Sequence, residues 1–168
     1  MQKSIYNSML WIAVFYFSGT SLAIGQQKFT PTSYISEHKS LAQQLMLETG
    51  VPASVILSVA IHESAFGNSR IARYLNNHFG IKGKNNSTTI KSAYKGYEST
   101  LASYRDFISL LKKRKSTQAL FDQPSSVDYR SWVQSIARSG YSASNGWGSK
   151  VLATINRYHL DDYDKVNN

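Results

Sequence analysis

Residues 51–67 read VPASVILSVAIHESAFG, and this stretch decides how the rest of the chain is read. Pro52 suits the first turn of a helix, where its missing N–H removes no intrahelical bond. Ala53 to Ser64 then run without a breaker until Gly67. Glu63 lies four residues after Val59 and seven after Ile56, on the same apolar face, where ordinary patterning places a hydrophobe. It also stands near the carboxyl end of this helix, where the dipole disfavours negative charge by ~0.3–1 kcal/mol. Burial and the dipole both act against the ionised form, so one reading is a general acid. The other is a carboxylate that ends the buried stripe and reaches solvent.

Working outward, Tyr34, Ile35, Leu41, Ala42, Leu45 and Met46 recur at helical spacing, with Ser33 as N-cap and Gly50 just beyond the end, predicting a helix over 33–48. A short helix is expected from 68 or 69 to about 75, followed by a loop over 76–83. The segment 85–97, with Thr88, Thr89, Ile90, Tyr94 and Tyr97, is the one stretch with strand character. Helices resume over 99–113, 127–139 and 147–158, separated by Gln123-Pro124-Ser125 and by 140–146. About six helices with one small inserted hairpin predict a mainly α, two-lobed domain with a small β-hairpin lobe and a cleft between the lobes.

Residues 1–25 carry one cation, Lys3, an apolar run from Met9 to Phe17, and small residues through Ala23-Ile24-Gly25, the outline of a secretory signal. Nine apolar residues fall well short of the ~20 that span a bilayer as a helix. Cleavage before Gln26 is expected, then a short linker over 26–32, a domain over 33–164 and a tail over 165–168, with no stable membrane anchor after cleavage. The 168 residues hold 19 Lys+Arg, 10 Asp+Glu, four His and no Cys, for a net charge of +9. A chain without cysteine has no disulfide scaffold, thiolate metal site or Cys nucleophile. Loss of Lys3 leaves +8, which on an exported protein points to extracellular polyanions such as bacterial wall polymers rather than nucleic acid. The one basic cluster, Lys112-Lys113-Arg114-Lys115, falls at a predicted helix end and is accounted for by the dipole there.

Beyond Glu63 the chain reads Ser64-Ala65-Phe66-Gly67-Asn68-Ser69-Arg70-Ile71-Ala72, then Asn76-Asn77-His78-Phe79-Gly80-Ile81-Lys82. This closely resembles the signature of the bacterial glucosaminidase domain family, Glu-Ser-aromatic/apolar-Gly-x-Ser-x-x-Ala followed by Asn-Asn-x-Phe-Gly-Ile-Lys. The likeness continues through Tyr94-Lys95-Gly96-Tyr97-Glu98-Ser99, Ser139-Gly140-Tyr141-Ser142 and His159-Leu160-Asp161-Asp162-Tyr163-Asp164, covering about residues 34–164. The resemblance implies a lysozyme-like fold and a secreted peptidoglycan hydrolase that cleaves glycan strands at N-acetylglucosamine, with Glu63 as general acid.

Glycoside cleavage normally pairs the acid with a second carboxylate ~5–5.5 Å or ~6.5–9.5 Å away. The family's usual second acid lies on the hairpin, and residues 84–93 contain no Asp or Glu. Glu98 sits beside a predicted N-cap, Ser99, where an acid is ordinary. Three mechanisms stay open: water activated by another acid, assistance by the substrate's N-acetyl group, and single-acid transglycosylation giving an anhydro product. A non-catalytic wall-binding module is the competing class. Tyr141 is a candidate to stabilise an oxocarbenium-like transition state through its hydroxyl. Phe79, Tyr97 and Trp147 are candidate sugar platforms, and Asn77 and the backbone at Gly80 candidate partners for acetamido groups; Asn76-Asn77 alternatively caps the preceding helix. His62 falls on a different helix face from Glu63. No metal or other cofactor is indicated, since His78 and His159 lack spaced ligand partners and no His-Glu-x-x-His pattern occurs. A monomer is expected.

Overall fold

The computed structural model describes residues 28–123 and 128–165; the expected signal segment lies outside them. Seven α-helices follow one another: α1 (Pro31–Thr49), α2 (Ala53–Ser64), α3 (Arg70–Leu75), α4 (Thr100–Lys112), α5 (Lys115–Phe121), α6 (Tyr129–Arg138) and α7 (Trp147–Tyr158), closed by a 3-10 turn over Leu160–Asp164.

Helix α2 is the centre of the molecule. Every residue from Ala53 to Ile61 is buried, so this helix has no solvent face until its last turn. It packs against α1, α6, α7 and the closing 3-10 turn. Its amino end is capped from the far end of the chain: Asp164 Oδ1 accepts from the Ser54 N–H at 2.8 Å and Oδ2 from the Ser54 hydroxyl at 2.6 Å. A carboxylate here satisfies a free amide donor and opposes the positive end of the dipole. Pro52 is the N-cap, one position before the expected first turn, and supplies no side-chain bond.

Helix α1 starts two residues before the predicted boundary and inside the expected linker. Thr30, not Ser33, is its N-cap, with Ser33 bonding back to form a reciprocal capping box and Pro31 opening the first turn. Helix α5 was not expected from the sequence: the basic run is a corner between two helices, α4 ending at Lys112 and α5 beginning at Lys115.

The expected hairpin lobe is not formed. Residues 76–99 cross as an irregular loop with one antiparallel bridge, Lys82 to Tyr94. Backbone pairing is confined to a few bonds, among them Lys95 N–H to Ile81 O at 2.8 Å and Gly83 N–H to Ala93 O at 3.0 Å. Beside them the Asn85 amide donates to the carbonyls of both Ser92 (2.9 Å) and Tyr94 (2.7 Å), so a side chain takes the place of ladder donors. At the tip, the Thr89 and Ile90 N–H groups both donate to the Ser87 hydroxyl at 3.2 Å, a local polar alternative that overrides their strand propensity.

The turn after α2 is tightly wound, with Ala65, Phe66 and Gly67 all left-handed (φ 51°, 56° and 73°). At Gly67 a Cβ would stand 2.9 Å from the Tyr34 ring, so the backbone passes where no other side chain fits. Asn68 then exchanges two 2.9 Å bonds with the backbone of Phe29, pinning the chain entry to this turn.

Candidate active site

Glu63 emerges on the last turn of α2, half-buried, while the nine residues Ala53–Ile61 behind it are buried. Its Oε1 accepts the indole N–H of Trp147 at 2.8 Å. Its Oε2 lies on the other side, facing Gly80, where an added Cβ would be 3.8 Å away. Gly80 is left-handed (φ 64°), a conformation that favours glycine where the loop passes the carboxyl. Glu63, Gly80, Lys82, Arg114, Tyr141 and Ser142 are among the residues lining a cleft of about 370 Å³.

Tyr141 faces this cleft from the turn after α6. Its hydroxyl donates to the Phe79 carbonyl at 3.0 Å. With its proton committed there, the phenol oxygen has only acceptor capacity left. Burial, and next the nearby Glu63, push this phenol well above its ordinary pKa, while Arg114 acts in the opposite direction. Rings tie the group together: Tyr141 lies 5.2 Å from Trp147 and 5.8 Å from Phe107, centre to centre.

The other sequence candidates divide by burial. Asn77 is fully buried and is withdrawn from the cleft: its amide donates to the carbonyls of Ile81 and Lys95, both at 2.8 Å, and its oxygen accepts the Ile81 N–H at 3.1 Å. It braces the loop instead of reaching a sugar. Asn76 is the left-handed cap of α3, as the alternative reading has it. Phe79 is 3% exposed and stacked on Phe107 at 4.2 Å, so its ring is core and only its backbone meets the cleft. Trp147, also 3% exposed, offers no free platform. It holds Glu63.

Tyr97 is half-buried and donates to Asp106 Oδ2 at 2.8 Å, while Lys95 Nζ reaches the same oxygen at 2.8 Å. Partial burial opposes ionisation of Asp106, but the bonds from Lys95 and Tyr97 and the Lys95 charge outweigh it and hold the carboxyl below its ordinary value. Tyr97 borders a different, polar groove with Tyr74 and Asn86. Glu98 is exposed beside Ser99, which caps α4 by accepting the Ala102 N–H. Among the described residues, Glu63 is the one carboxylate that lines the cleft.

Arg114, indistinguishable in sequence from its lysine neighbours, enters the cleft from the corner between α4 and α5. The signal was present only as a break: the cationic run falls where one helix stops and another starts. Beneath the 76–80 loop lies a second feature the pattern did not reveal. The Tyr34 hydroxyl bonds His78 Nδ1 at 2.8 Å and the Tyr104 hydroxyl at 3.0 Å, and His38 stacks on Tyr34 at 4.1 Å.

This helical fold is shared with solved structures. It matches the catalytic domain of the autolysin Auto from Listeria monocytogenes (TM-score 0.66, 21% identity, 83% of this chain and 92% of that one). It also matches the glycoside hydrolase domain of FlgJ from Salmonella typhimurium (TM-score 0.64, 20% identity, 80% and 91%). These likenesses bear out the mainly α, lysozyme-like class, without the β-hairpin. Residues 39–160 match the model of the glucosaminidase family, described as mannosyl-glycoprotein endo-beta-N-acetylglucosaminidase, and the chain belongs to that family. Among relatives, it is 28% identical over 151 residues to the exo-glucosaminidase LytG of Bacillus subtilis and 24% identical over 159 residues to an autolysin of Enterococcus faecalis. The matches take in 80% of this chain in each case, but 54% and 21% of those longer proteins, so the chain spans about half the length of the first and a fifth of the second.

Proposed function

We propose that this protein is an exported peptidoglycan hydrolase that cleaves the glycan strand at N-acetylglucosamine, with Glu63 as general acid. The observation that carries the reading is the fixed, two-sided environment of the Glu63 carboxyl. Trp147 occupies Oε1, which leaves Oε2 as the oxygen that carries the proton toward the open side of the cleft. As the bond between the anomeric carbon and the leaving oxygen breaks, that proton passes to the leaving oxygen. Positive charge then builds on the sugar ring. The Tyr141 oxygen, its own proton directed at Phe79, presents lone pairs to that charge.

No second carboxylate lines the cleft among the described residues, which favours a route needing one acid. The acetamido oxygen of the substrate then attacks the anomeric carbon, and water, deprotonated by Glu63, opens the intermediate and restores the acid. In the transglycosylase variant of the same chemistry a sugar hydroxyl takes the place of water and an anhydro end results. Membership of the glucosaminidase family and a net charge of +9, suited to an anionic wall, support the substrate class. No helix among the described residues is long and apolar enough to cross a membrane. Export rests on the signal-like residues 1–25.

The test is digestion of purified peptidoglycan followed by mass spectrometry of the released fragments. Reducing N-acetylglucosamine ends are expected, and Glu63→Gln is expected to abolish them in a folded protein. Anhydro ends would assign transglycosylation. Binding without fragments would reduce the protein to a wall-binding module, and full activity in Glu63→Gln would remove Glu63 from the mechanism.

A further inference from the structure

In sequence, Lys112-Lys113-Arg114-Lys115 is a uniform run of cations. The fold divides it. Lys112, Lys113 and Lys115 are exposed, whereas Arg114, the N-cap of α5, is half-buried and turned into the cleft that holds Glu63. Its Nη1 donates to the Ser139 carbonyl at 2.6 Å and to the Ser139 hydroxyl at 3.2 Å. Its guanidinium carbon lies 5.7 Å from the centre of the Tyr141 ring. Its Nε is buried with no hydrogen-bond partner among the described residues.

These contacts do not describe a cation kept for solubility, which would keep its water. An unpaired buried donor is costly, and folded proteins leave few of them without a reason. Ser139 is the C-cap of α6, and Gly140 after it is left-handed (φ 68°), so the chain turns sharply between the carbonyl that Arg114 holds and the ring that it covers. One guanidinium thus fastens the start of the turn and lies over its end. Tyr141 in turn depends on that turn for the 3.0 Å bond to the Phe79 carbonyl.

We infer that Arg114 is a positioning residue: it clamps the 139–142 turn so that the Tyr141 hydroxyl stays on the Phe79 carbonyl with its oxygen facing the bond that Glu63 protonates. The inference rests on the proposed glycosidase reading and acts through Tyr141 alone. A guanidinium suits the task because one nitrogen holds both acceptors of Ser139 while its delocalised charge lies over the Tyr141 ring; an ammonium can make the first contact but not both together.

The test is a double-mutant cycle on peptidoglycan cleavage using wild type, Arg114→Met, Arg114→Lys, Tyr141→Phe and Arg114→Met with Tyr141→Phe, each checked by thermal melting. Arg114→Met is expected to lower kcat roughly tenfold to a hundredfold with KM changed less than about threefold, and Arg114→Lys to recover part of the loss. The double variant is expected to be no more than about twofold slower than Tyr141→Phe, because the clamp has nothing left to position. Effects that multiply, or a rise in KM at unchanged kcat, would overturn the inference while leaving the glycosidase reading intact. A wild-type protein that cleaves nothing would overturn both. Should Arg114→Met not fold, the same cycle with Arg114→Lys carries the decision.

Discussion

The indole N–H of Trp147 donates to Glu63 Oε1 at 2.8 Å across 84 residues of sequence. It joins the first residue of α7 to the last turn of α2, and it gives one carboxyl oxygen a fixed partner while the other faces the cleft. The bond holds the acid in its orientation, and misplacing a catalytic group by about 1 Å costs on the order of a hundredfold in rate. Trp147→Phe keeps the aromatic packing and removes the donor, so turnover is expected to fall about tenfold to a hundredfold in a folded protein. Steady-state kinetics with a melting curve check this; unchanged turnover would mean that the carboxyl is oriented by something else.

Asn77 is a brace, so its removal is a stability effect before it is an activity effect. Asn77→Ala strips the Asn77 partner from the Lys95 carbonyl and from the Ile81 N–H, while the Ile81 carbonyl keeps its bond from the Lys95 N–H. Unpaired buried groups cost about 1–3 kcal/mol each, and relaxation toward water recovers some of this. A loss of roughly 2–4 kcal/mol in urea denaturation is expected. Faster amide exchange at Ile81 in the folded state would locate the damage.

Asp164 closes the chain onto α2. Asp164→Ala leaves the Ser54 N–H and hydroxyl without their acceptors and exposes the positive end of the central helix. Loss of a helix cap costs about 0.5–2 kcal/mol. A drop in that range is expected in chemical denaturation, with Asp164→Asn intermediate because the amide oxygen still accepts. No change in either variant would show that this cap on α2 is dispensable.

The buried histidines predict acid sensitivity. Burial, and next the neighbouring His38, lower His78 from 6.5 to about 4. His38 is lowered too, first by burial, which its bond to the Tyr34 carbonyl and the nearby Glu37 partly oppose. Tyr34 and Tyr104 face the pair as neutral phenols, with Tyr34 pushed up to about 12 by burial. A histidine whose folded value lies below its unfolded one leaves the unfolded state with more bound protons between pH 4 and 6.5, so stability is unaffected above about pH 7 and declines as pH falls through that window. For His78 alone the loss is roughly 2 kcal/mol by pH 5 and about 3 kcal/mol below pH 4. Urea midpoints at pH 7 and pH 5 for wild type and His78→Asn test this. The variant should start less stable and show a shallower pH dependence; equal slopes would absolve His78.

Much of the helical order was open to local reading. Apolar spacing and Gly50 place α1 to within two residues, and the breaker at Gly67 marks the left-handed turn over 65–67 that follows α2. Glu63 stood out because one charged residue on an apolar face near a helix carboxyl end conflicts with both patterning and dipole. Such conflicts are visible in sequence because they arise within a single helix.

The remaining site residues were not legible in this way, since their roles depend on partners far along the chain. Asn77, Phe79 and Trp147 were drawn as sugar contacts from residue type, yet each is buried and occupied by the protein itself. Arg114 looked like its lysine neighbours until the corner between α4 and α5 turned it alone toward Ser139 and Tyr141. The hairpin dissolved because the Asn85 amide competes for the carbonyls a strand would have paired. Periodicity, caps and breakers are properties of a few consecutive residues, so every helix but α5, and the place of Glu63 on α2, follow from local pattern. Which polar atom meets which depends on how those helices pack, and only the tertiary structure decided what holds the carboxyl and what faces it.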